Sequence, residues 1–378
     1  MNTLKNHLII VIGLEHYNAL GILRTMGEKG IDPVFIAIKH RVRVASASRY
    51  ISELHLVETE EEAFDVLMKN YGDICKNTGY KPILLFGDDK TVEFYDRIYE
   101  EIQEKFILYN AHGKNNGITK YIDKKEILEC AKRHGVPVLP TCVTELGVIP
   151  KDLEYPVITK AISPNAGAWK GDVHVCKNEQ ELREAMKIIK SPQVLLQKYI
   201  VKKTEITFEG FTINDGKDIF ISIECSYPYT LKSYYSPLHD VKPNNHPKLM
   251  KKINEMMKEI GFNGIFDVEF LVDQEDYLWI LEINFRNTGW SYASTVSGNP
   301  LPYLWCEAVL SGKLSTPKNF EPFLAMVEPF DYVVRVEEKG VPLPEWLYDF
   351  KRAKCTYYYD VNDIEPWKVL CRNWDELK

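Results

Sequence analysis

The stretch IFDVEFLVDQEDYLWILEINFR, residues 265–286, decides the fold. Two apolar halves flank the polar centre Asp273-Gln274-Glu275-Asp276, which reads as a β-hairpin with strands over 265–272 and 277–284. Side chains repeat every two residues along a strand, so Asp267 and Glu269 share one face of the first strand, and Glu282 and Asn284 one face of the second. A two-residue turn at Glu275-Asp276 sets Glu269 directly opposite Glu282, whereas a turn at Gln274-Glu275 sets Asp267 there instead. Either way two carboxylates face each other. Like charges directly opposite on a sheet destabilise it unless something positive sits between them. Carboxylate and amide oxygens are hard ligands, so a divalent cation such as Mg²⁺ is the natural occupant, with positions left open for phosphate oxygens. Glu269 is the preferred first-strand ligand and Asp267 the alternative. The plainer reading is a hairpin whose acids line a solvent face; Asn284 and Arg286 in the same run weigh against it.

Working outward, runs over 204–213 and 219–224 alternate like strands, and a helix over 247–260 offers them a cover, which predicts an antiparallel sheet containing the hairpin. Before it come a strand over 155–160, a small-residue loop over 163–171, a helix over 179–190 and a strand over 193–200, a small α+β unit. An amphipathic helix over 122–133 is stopped by Gly135-Val136-Pro137. The N-terminal segment alternates differently: strand 8–12, Gly13, a helix through Leu20, Leu23 and Met26, strand 33–38, then strand 83–86 ending at Gly87-Asp88-Asp89 before a helix over 91–103. That order predicts a doubly wound parallel sheet, hence an α/β region followed by α+β units. Gly13 and Gly21 lack the third glycine and the spacing of a dinucleotide fingerprint, so NAD is not expected. The aromatic run Thr356-Tyr357-Tyr358-Tyr359 suggests no chemistry, only a capping strand.

Composition narrows the classes. At 378 residues, with 45% hydrophobic and 27% charged residues, the chain has material for more than one core. A net charge of -7 argues against nucleic acid, whose phosphate backbone demands a concentrated basic face. The longest apolar run, 8–14, is too short for a membrane span and lacks a cleavage site, so a cytoplasmic protein is expected. Eight scattered cysteines without a C-x-x-C pair read as reduced core residues. Cys225 has no histidine near it in sequence, which disfavours it as a nucleophile.

An acid followed by Glu-x-Asn on two adjacent strands, with lysines upstream, resembles the ATP-grasp superfamily over roughly residues 5 to 310. Phe266-Asp267, the run Leu281 to Arg286, Ser48-Arg49-Tyr50 and Gly298-Asn299-Pro300-Leu301 are similar, within it, to the D-aspartate ligase-like carboxylate-amine ligases. The resemblance implies a Rossmann-like pre-ATP-grasp domain (1–112), a linker helix and lid subdomain (113–200), a subdomain with the magnesium site (201–317) and an extension (318–378), with ATP between the two ATP-grasp subdomains. It places the adenine hinge at Val194 to Ile200, with Gln197, Lys198, Tyr199 and Ile200 near the base, Glu205 at the ribose, and Lys124 and Lys160 on the phosphates. Lys170 lies in the loop matching the family's lid, which has fewer glycines than many lids, and Ala161 stands where a proline commonly follows the lysine.

What the resemblance implies for function is activation of a carboxylate as an acyl phosphate and its transfer to an amine. ATP and one or two Mg²⁺ ions, with Mn²⁺ as the alternative, would lie on Glu269 or Asp267, Glu282 and Asn284, and Arg286 and Lys160 would be the catalytic cations. Substrate contacts are expected from Glu224, Tyr227, Tyr229, Lys232, Tyr234 and Tyr235, and from Asn287, Gly289 and Trp290. The partners implied are a small carboxylate and a small amine, amino acids or a short peptide; a homodimer is compatible with this, and no nucleic acid or membrane is called for. Two rivals stand: a nucleotide-binding regulatory protein of the same fold without turnover, and an ATP-grasp carboxylase or purine-pathway enzyme.

Overall fold

The computed structural model describes residues 3–39, 42–162, 169–229, 231 and 236–374, except the side chains of 169 and 170. Its N-terminal sheet contains β1 (Ile9–Leu14), β2 (Val34–Ile38), β3 (Glu53–Val57) and β4 (Ile83–Phe86), all parallel, in the order β3-β2-β1-β4. β2 and β4 are buried throughout and β1 nearly so, as continuous apolar runs must be when both faces of a parallel sheet are covered. The half-exposed edge strand β3 and the helix Glu60–Tyr71 after it carried too weak a pattern to be read from sequence. The turn after β4 is capped locally: the Asp88 carboxylate accepts the Thr91 N–H at 2.9 Å and opens the helix Asp89–Arg97. Asp89 thereby stands at the carboxyl end of β4, the last strand of this parallel sheet, and ligands bind at the carboxyl ends of such strands.

β5 (Asn110–Ala111) leaves this region and pairs with a strand of the large sheet described below. Next come β6 (Thr141–Glu145), β7 (Val157–Ala161), β8 (Val175–Cys176) and β9 (Gln193–Lys198), an antiparallel sheet in the order β6-β9-β7-β8. With the helix Glu179–Met186 it encloses its own small core, in which Val157, Leu182, Val194 and Leu196 are buried.

The remaining strands are β10 (Thr204–Ile213), β11 (Asp218–Ser226), β12 (Leu238–Lys242), β13 (Phe262–Val272), β14 (Leu278–Asn284), β15 (Phe323–Met326) and β16 (Cys355–Thr356), in the order β14-β13-β10-β11-β12-β15-β16. The helix Pro247–Ile260 buries Met250, Ile253, Met256, Met257 and Ile260 at helical spacing and ends at Gly261, whose φ of 66° closes it in the left-handed conformation. The expected α/β region followed by α+β units is what forms. No helix among the described residues is long and apolar enough to cross a membrane.

The hairpin β13–β14 pairs Glu269 with Glu282 and Asp267 with Asn284, but no two-residue turn sets that register. The connection occupies 273–277, where the Asp273 carboxylate accepts the N–H groups of Glu275 (3.0 Å) and Tyr277 (2.9 Å) and Asp276 has φ 66°. A bulge then shifts the pairing between Glu269 and Phe270, so that Phe270 faces Ile280 while Glu269 faces Glu282. The bulge absorbs the difference between the expected turn and the one that forms.

The C-terminal extension does more than add an edge strand. The carboxylate of Glu328 accepts the N–H groups of Tyr357 (3.0 Å), Tyr358 (3.0 Å) and Tyr359, and Arg24 of the first helix donates to the carbonyls of Tyr357 (3.0 Å), Tyr358 (2.8 Å) and Asp363 (3.0 Å). The expected capping strand is reduced to β16, and the tyrosines after it are clamped against the N-terminal region.

Candidate active site

Cross-strand pairing assembles one acidic face. Asp267 faces Asn284 on one side and Glu209 on the other, and Glu269 faces Glu282 on one side and Thr207 on the other. Two-residue periodicity along β10 adds Glu205 to the same face. Asp267 and Glu209 are fully buried. Asn284 Nδ2 donates to Glu269 Oε1 at 3.0 Å, and Thr207 Oγ1 approaches Asp267 Oδ2 at 3.4 Å. Asp267 Oδ1 is buried without a hydrogen-bond partner.

Such crowding has electrostatic consequences. Burial, and after it the charge of Glu209, pushes the Asp267 carboxyl well up; burial and the charges of Asp267 and Glu282 do the same to Glu269. Glu282 moves the other way, held down chiefly by Lys124. A divalent cation relieves this repulsion, and the donor set of carboxylate and amide oxygens fits Mg²⁺ or Mn²⁺. Glu269, Glu282 and Asn284 converge as such a set, with Asp267 beside them.

The cations come from elsewhere in the fold. Lys124 opens the helix Lys124–Arg133, which Asp123 caps; its N–H bonds the Ile162 carbonyl at 3.0 Å and its ammonium pairs with Glu282. Lys160 projects from β7 and donates to Gln197 Oε1 at 2.9 Å, while Gln197 Nε2 donates to Thr141 Oγ1 at 3.0 Å. Burial first, and the nearby Lys124 second, lower the Lys160 ammonium to about 8. Gln197, expected at the base, is thus a buried brace for Lys160. The N–H groups of Lys198 and Tyr199 are engaged by the carbonyls of Pro140 (2.8 Å) and Pro156 (2.9 Å), so neither is open to a base; Ile200 follows directly. Glu205 pairs with Lys202 at 2.5 Å. The Lys170 side chain and the loop over 163–168 lie outside the described residues.

Arg286 grips Asp89 bidentately, through Nε at 2.7 Å and Nη2 at 2.9 Å, and Nη2 reaches Asn284 Oδ1 at 3.3 Å. Asp89 is one residue that sequence reasoning missed, although its place after a β4-type strand was a signal. Glu209 is the other. It accepts the hydroxyls of Thr288 (2.6 Å) and Ser291 (2.7 Å), and burial raises it to about 7. Its signal was the spacing of four from Glu205 along one strand.

The substrate candidates divide. Tyr227 lies 5.4 Å from the His239 ring and 6.4 Å from Trp290, and Trp290 is 3.8 Å from His239, 6.2 Å from Tyr17 and 5.8 Å from Tyr357. Asn287 donates to the Asn18 carbonyl at 3.3 Å. A Cβ on Gly289 would stand 2.3 Å from the Tyr17 ring, so this glycine permits a close approach of two segments and leaves no room for a ligand. Glu224 faces Phe208, on the opposite side of the sheet from the acids, with Lys242 Nζ at 3.0 Å and His246 Nε2 at 3.4 Å. Tyr229 donates to Asp331 at 2.6 Å and stacks under Lys339 in the C-terminal extension. Cys225 is fully buried, and burial pushes its thiol well up, which suits packing and not nucleophilic attack. Lys232, Tyr234 and Tyr235 lie outside the described residues.

Comparison with known proteins follows this geometry. Residues 123–314, which hold Lys124, Lys160, Glu205, Glu209, Asp267, Glu269 and Glu282 but not Asp89, match the family model of the carbamoyl-phosphate synthase L chain, ATP binding domain. The 2-oxoglutarate carboxylase small subunit of Hydrogenobacter thermophilus is 29% identical over 181 residues, 43% of this chain and 38% of that one. N5-carboxyaminoimidazole ribonucleotide synthase of Staphylococcus aureus (strain COL) is 24% identical over 198 residues, 51% of this chain and 52% of that one. The chain therefore spans about half the length, or less, of these curated relatives. Among solved structures, L-amino acid ligase from Bacillus licheniformis superposes with a TM-score of 0.63 at 12% identity, covering 85% of this chain and 80% of that one. N5-carboxyaminoimidazole synthetase from Staphylococcus aureus gives a TM-score of 0.63 at 16% identity, covering 90% and 89%. At these identities the likeness is one of fold.

Proposed function

The chain belongs to the family of carbamoyl-phosphate synthase L chain ATP binding domains, an ATP-grasp fold, and from that premise we propose that it is an ATP-dependent ligase joining a small carboxylate to a small amine through an acyl phosphate. The observation that carries this reading is the facing of Glu269 and Glu282 across β13–β14, with Asn284 beside them, Lys124 reaching Glu282 from the start of its helix and Lys160 projecting from the smaller sheet.

Glu269, Glu282 and Asn284 would hold Mg²⁺ or Mn²⁺, which would neutralise charge on the phosphates of the substrate ATP as its phosphoryl group activates the carboxylate. Lys124 and Lys160 neutralise phosphate charge, Lys160 aimed by Gln197. Lys198 and Ile200 border the base and Glu205 the ribose. Arg286, fixed by Asp89, faces the acyl carbon and stabilises the oxyanion that forms when the amine attacks. Amino acids or a short peptide are the expected substrates, in a cytoplasmic enzyme that works as a monomer or a homodimer.

A matrix of amino acids and small amines tested for ADP release with Mg²⁺–ATP decides the matter. Release that requires both a carboxylate and an amine supports the ligase. Release driven by bicarbonate instead moves the chain to the carboxylase reading, which the names of the curated relatives favour. Tight ADP binding with no turnover makes it a nucleotide-binding regulatory protein.

A further inference from the structure

Glu269 and Glu282 have Lys124 close by, whereas among the described residues the second facing pair, Asp267 and Glu209, makes no ion pair and feels only the more remote charge of Arg286. Both residues are fully buried. Glu209 is oriented by two hydroxyls that only donate to it, those of Thr288 and Ser291. Asp267 meets one distant hydroxyl through Oδ2, and its Oδ1 has no hydrogen-bond partner. A buried carboxylate with an idle oxygen costs stability, and a facing pair costs more. Two such acids held in place by dedicated hydroxyls are built to receive a positive group.

The surroundings indicate which kind. Tyr227 and Tyr357 lie on the side of the sheet to which the acids point: burial first, and then the charges of Glu269, Glu205 and, less, Asp267, push the Tyr227 hydroxyl up, and Glu209 adds to burial and the thiols of Cys355 and Cys225 at Tyr357. The Tyr357 hydroxyl is buried without a hydrogen-bond partner, a second idle polar atom on the same side. The Trp290 ring, 5.8 Å from Tyr357 and 6.4 Å from Tyr227, completes an aromatic border. Mg²⁺ keeps waters and asks for oxygen on all six sides. An ammonium group, by contrast, is stabilised by aromatic faces and donates at most three hydrogen bonds, to acids and hydroxyls of this kind.

We propose that Asp267 and Glu209 receive the ammonium group of the amine substrate beneath Tyr227, Trp290 and Tyr357, selecting a free, charged amine of the amino-acid type and leaving the metal to Glu269, Glu282 and Asn284. The assignment deepens the ligase reading and rests on it for the name of the bound molecule. Arg286, next to Asn284, then lies between the metal and the amine, where the acyl group passes from one to the other.

The test uses the full chain with Mg²⁺–ADP. Thermal stabilisation is measured with the twenty amino acids and with their N-acetyl counterparts, which lack the charge, for the wild type, Glu209→Gln and Asp267→Asn. Free amino acids stabilise the wild type and N-acetylated ones do not. In each variant the affinity for the free amine falls about tenfold or more, the worth of a charge-assisted hydrogen bond, while Mg²⁺–ADP affinity stays within about twofold. Glu209→Gln keeps one hydroxyl contact as it stands and requires the other hydroxyl to turn and accept from the amide, so its own unfolding midpoint reports whether the site is still folded. Equal stabilisation by N-acetylated compounds, or none by any amine, overturns the proposal, as does a variant that loses Mg²⁺–ADP affinity. Where the wild type turns over ATP, an amine KM unchanged in both variants removes the ammonium site and leaves the ligase standing. Where it shows charge-dependent amine binding without ADP release, the ligase falls and the site remains.

Discussion

Two buried charged clusters in this molecule are built on opposite terms. Around Arg24 and Glu328 nearly every polar atom is matched: the guanidinium donates to Asp363 Oδ2 at 2.9 Å and to three carbonyls, Asp363 also accepts Ser48 Oγ at 2.9 Å and the Arg49 N–H at 2.8 Å, and Glu328 takes three successive N–H groups. On the acid face of β10, β13 and β14 five carboxylates crowd together, and Asp267 Oδ1 goes unmatched. The first cluster is a joint and the second a receptor. Satisfied buried charges fix geometry, and unsatisfied ones hold free energy in reserve for a ligand.

The contrast breaks most visibly at Arg24. Arg24→Met strands Asp363 and the tyrosine carbonyls, and denaturant unfolding should show a loss of about 3–5 kcal/mol. An unchanged midpoint would mean that the joint bears no load. On the receptor side Glu282→Gln should leave the unfolding midpoint nearly unmoved and cut ADP release about 10²–10³-fold, since it removes a metal ligand and the partner of Lys124. Wild-type turnover in that variant would take Glu282 out of the site.

Glu209→Gln sharpens the comparison through pH. Burial raises the folded carboxyl from 4.5 to about 7, so the folded chain holds a proton that the unfolded chain has lost, and wild-type stability falls as pH rises between these values. The variant lacks this term. Its stability relative to wild type should climb by about 1–3 kcal/mol from pH 4.5 to 7 and flatten above. A pH-independent difference would show that Glu209 keeps its charge without cost. The smallest effect belongs to Lys160, whose ammonium sits at about 8. Nucleotide affinity measured at pH 7, 8 and 9 should weaken by at most about tenfold per unit above that value, and Lys160→Arg should flatten the profile. A flat profile in the wild type would free Lys160 from phosphate binding.

What could be read in the sequence follows the reach of each signal. Strand faces obey a period of two, so Asp267 with Glu269 and Glu282 with Asn284 were legible in the hairpin alone. The turn was not, because the Asp273 carboxylate organises a longer connection and a bulge restores the register. Glu224 shows where parity fails: a register shift between β10 and β11 at Glu209 and Gly210, invisible without the partner strand, accompanies a pairing that turns Glu224 to the helix-covered side. Asp89 and Glu209 stayed hidden because their partners, Arg286, Thr288 and Ser291, lie at least 79 residues away along the chain. The tyrosine run held no periodic signal at all, since its backbone is satisfied by one distant carboxylate and one distant guanidinium.

The joint at Arg24 carries a consequence for biosynthesis. The guanidinium and the Tyr357 carbonyl that it anchors are 333 positions apart, so during translation the first helix waits almost the whole length of the chain for its partner. Tyr17, Trp290 and Tyr357 meet in one aromatic border beside that bond. A nascent chain released short of Tyr357 would carry every acid and lysine of the site and still lack one wall, which ties competence to a stretch made 333 residues after Arg24.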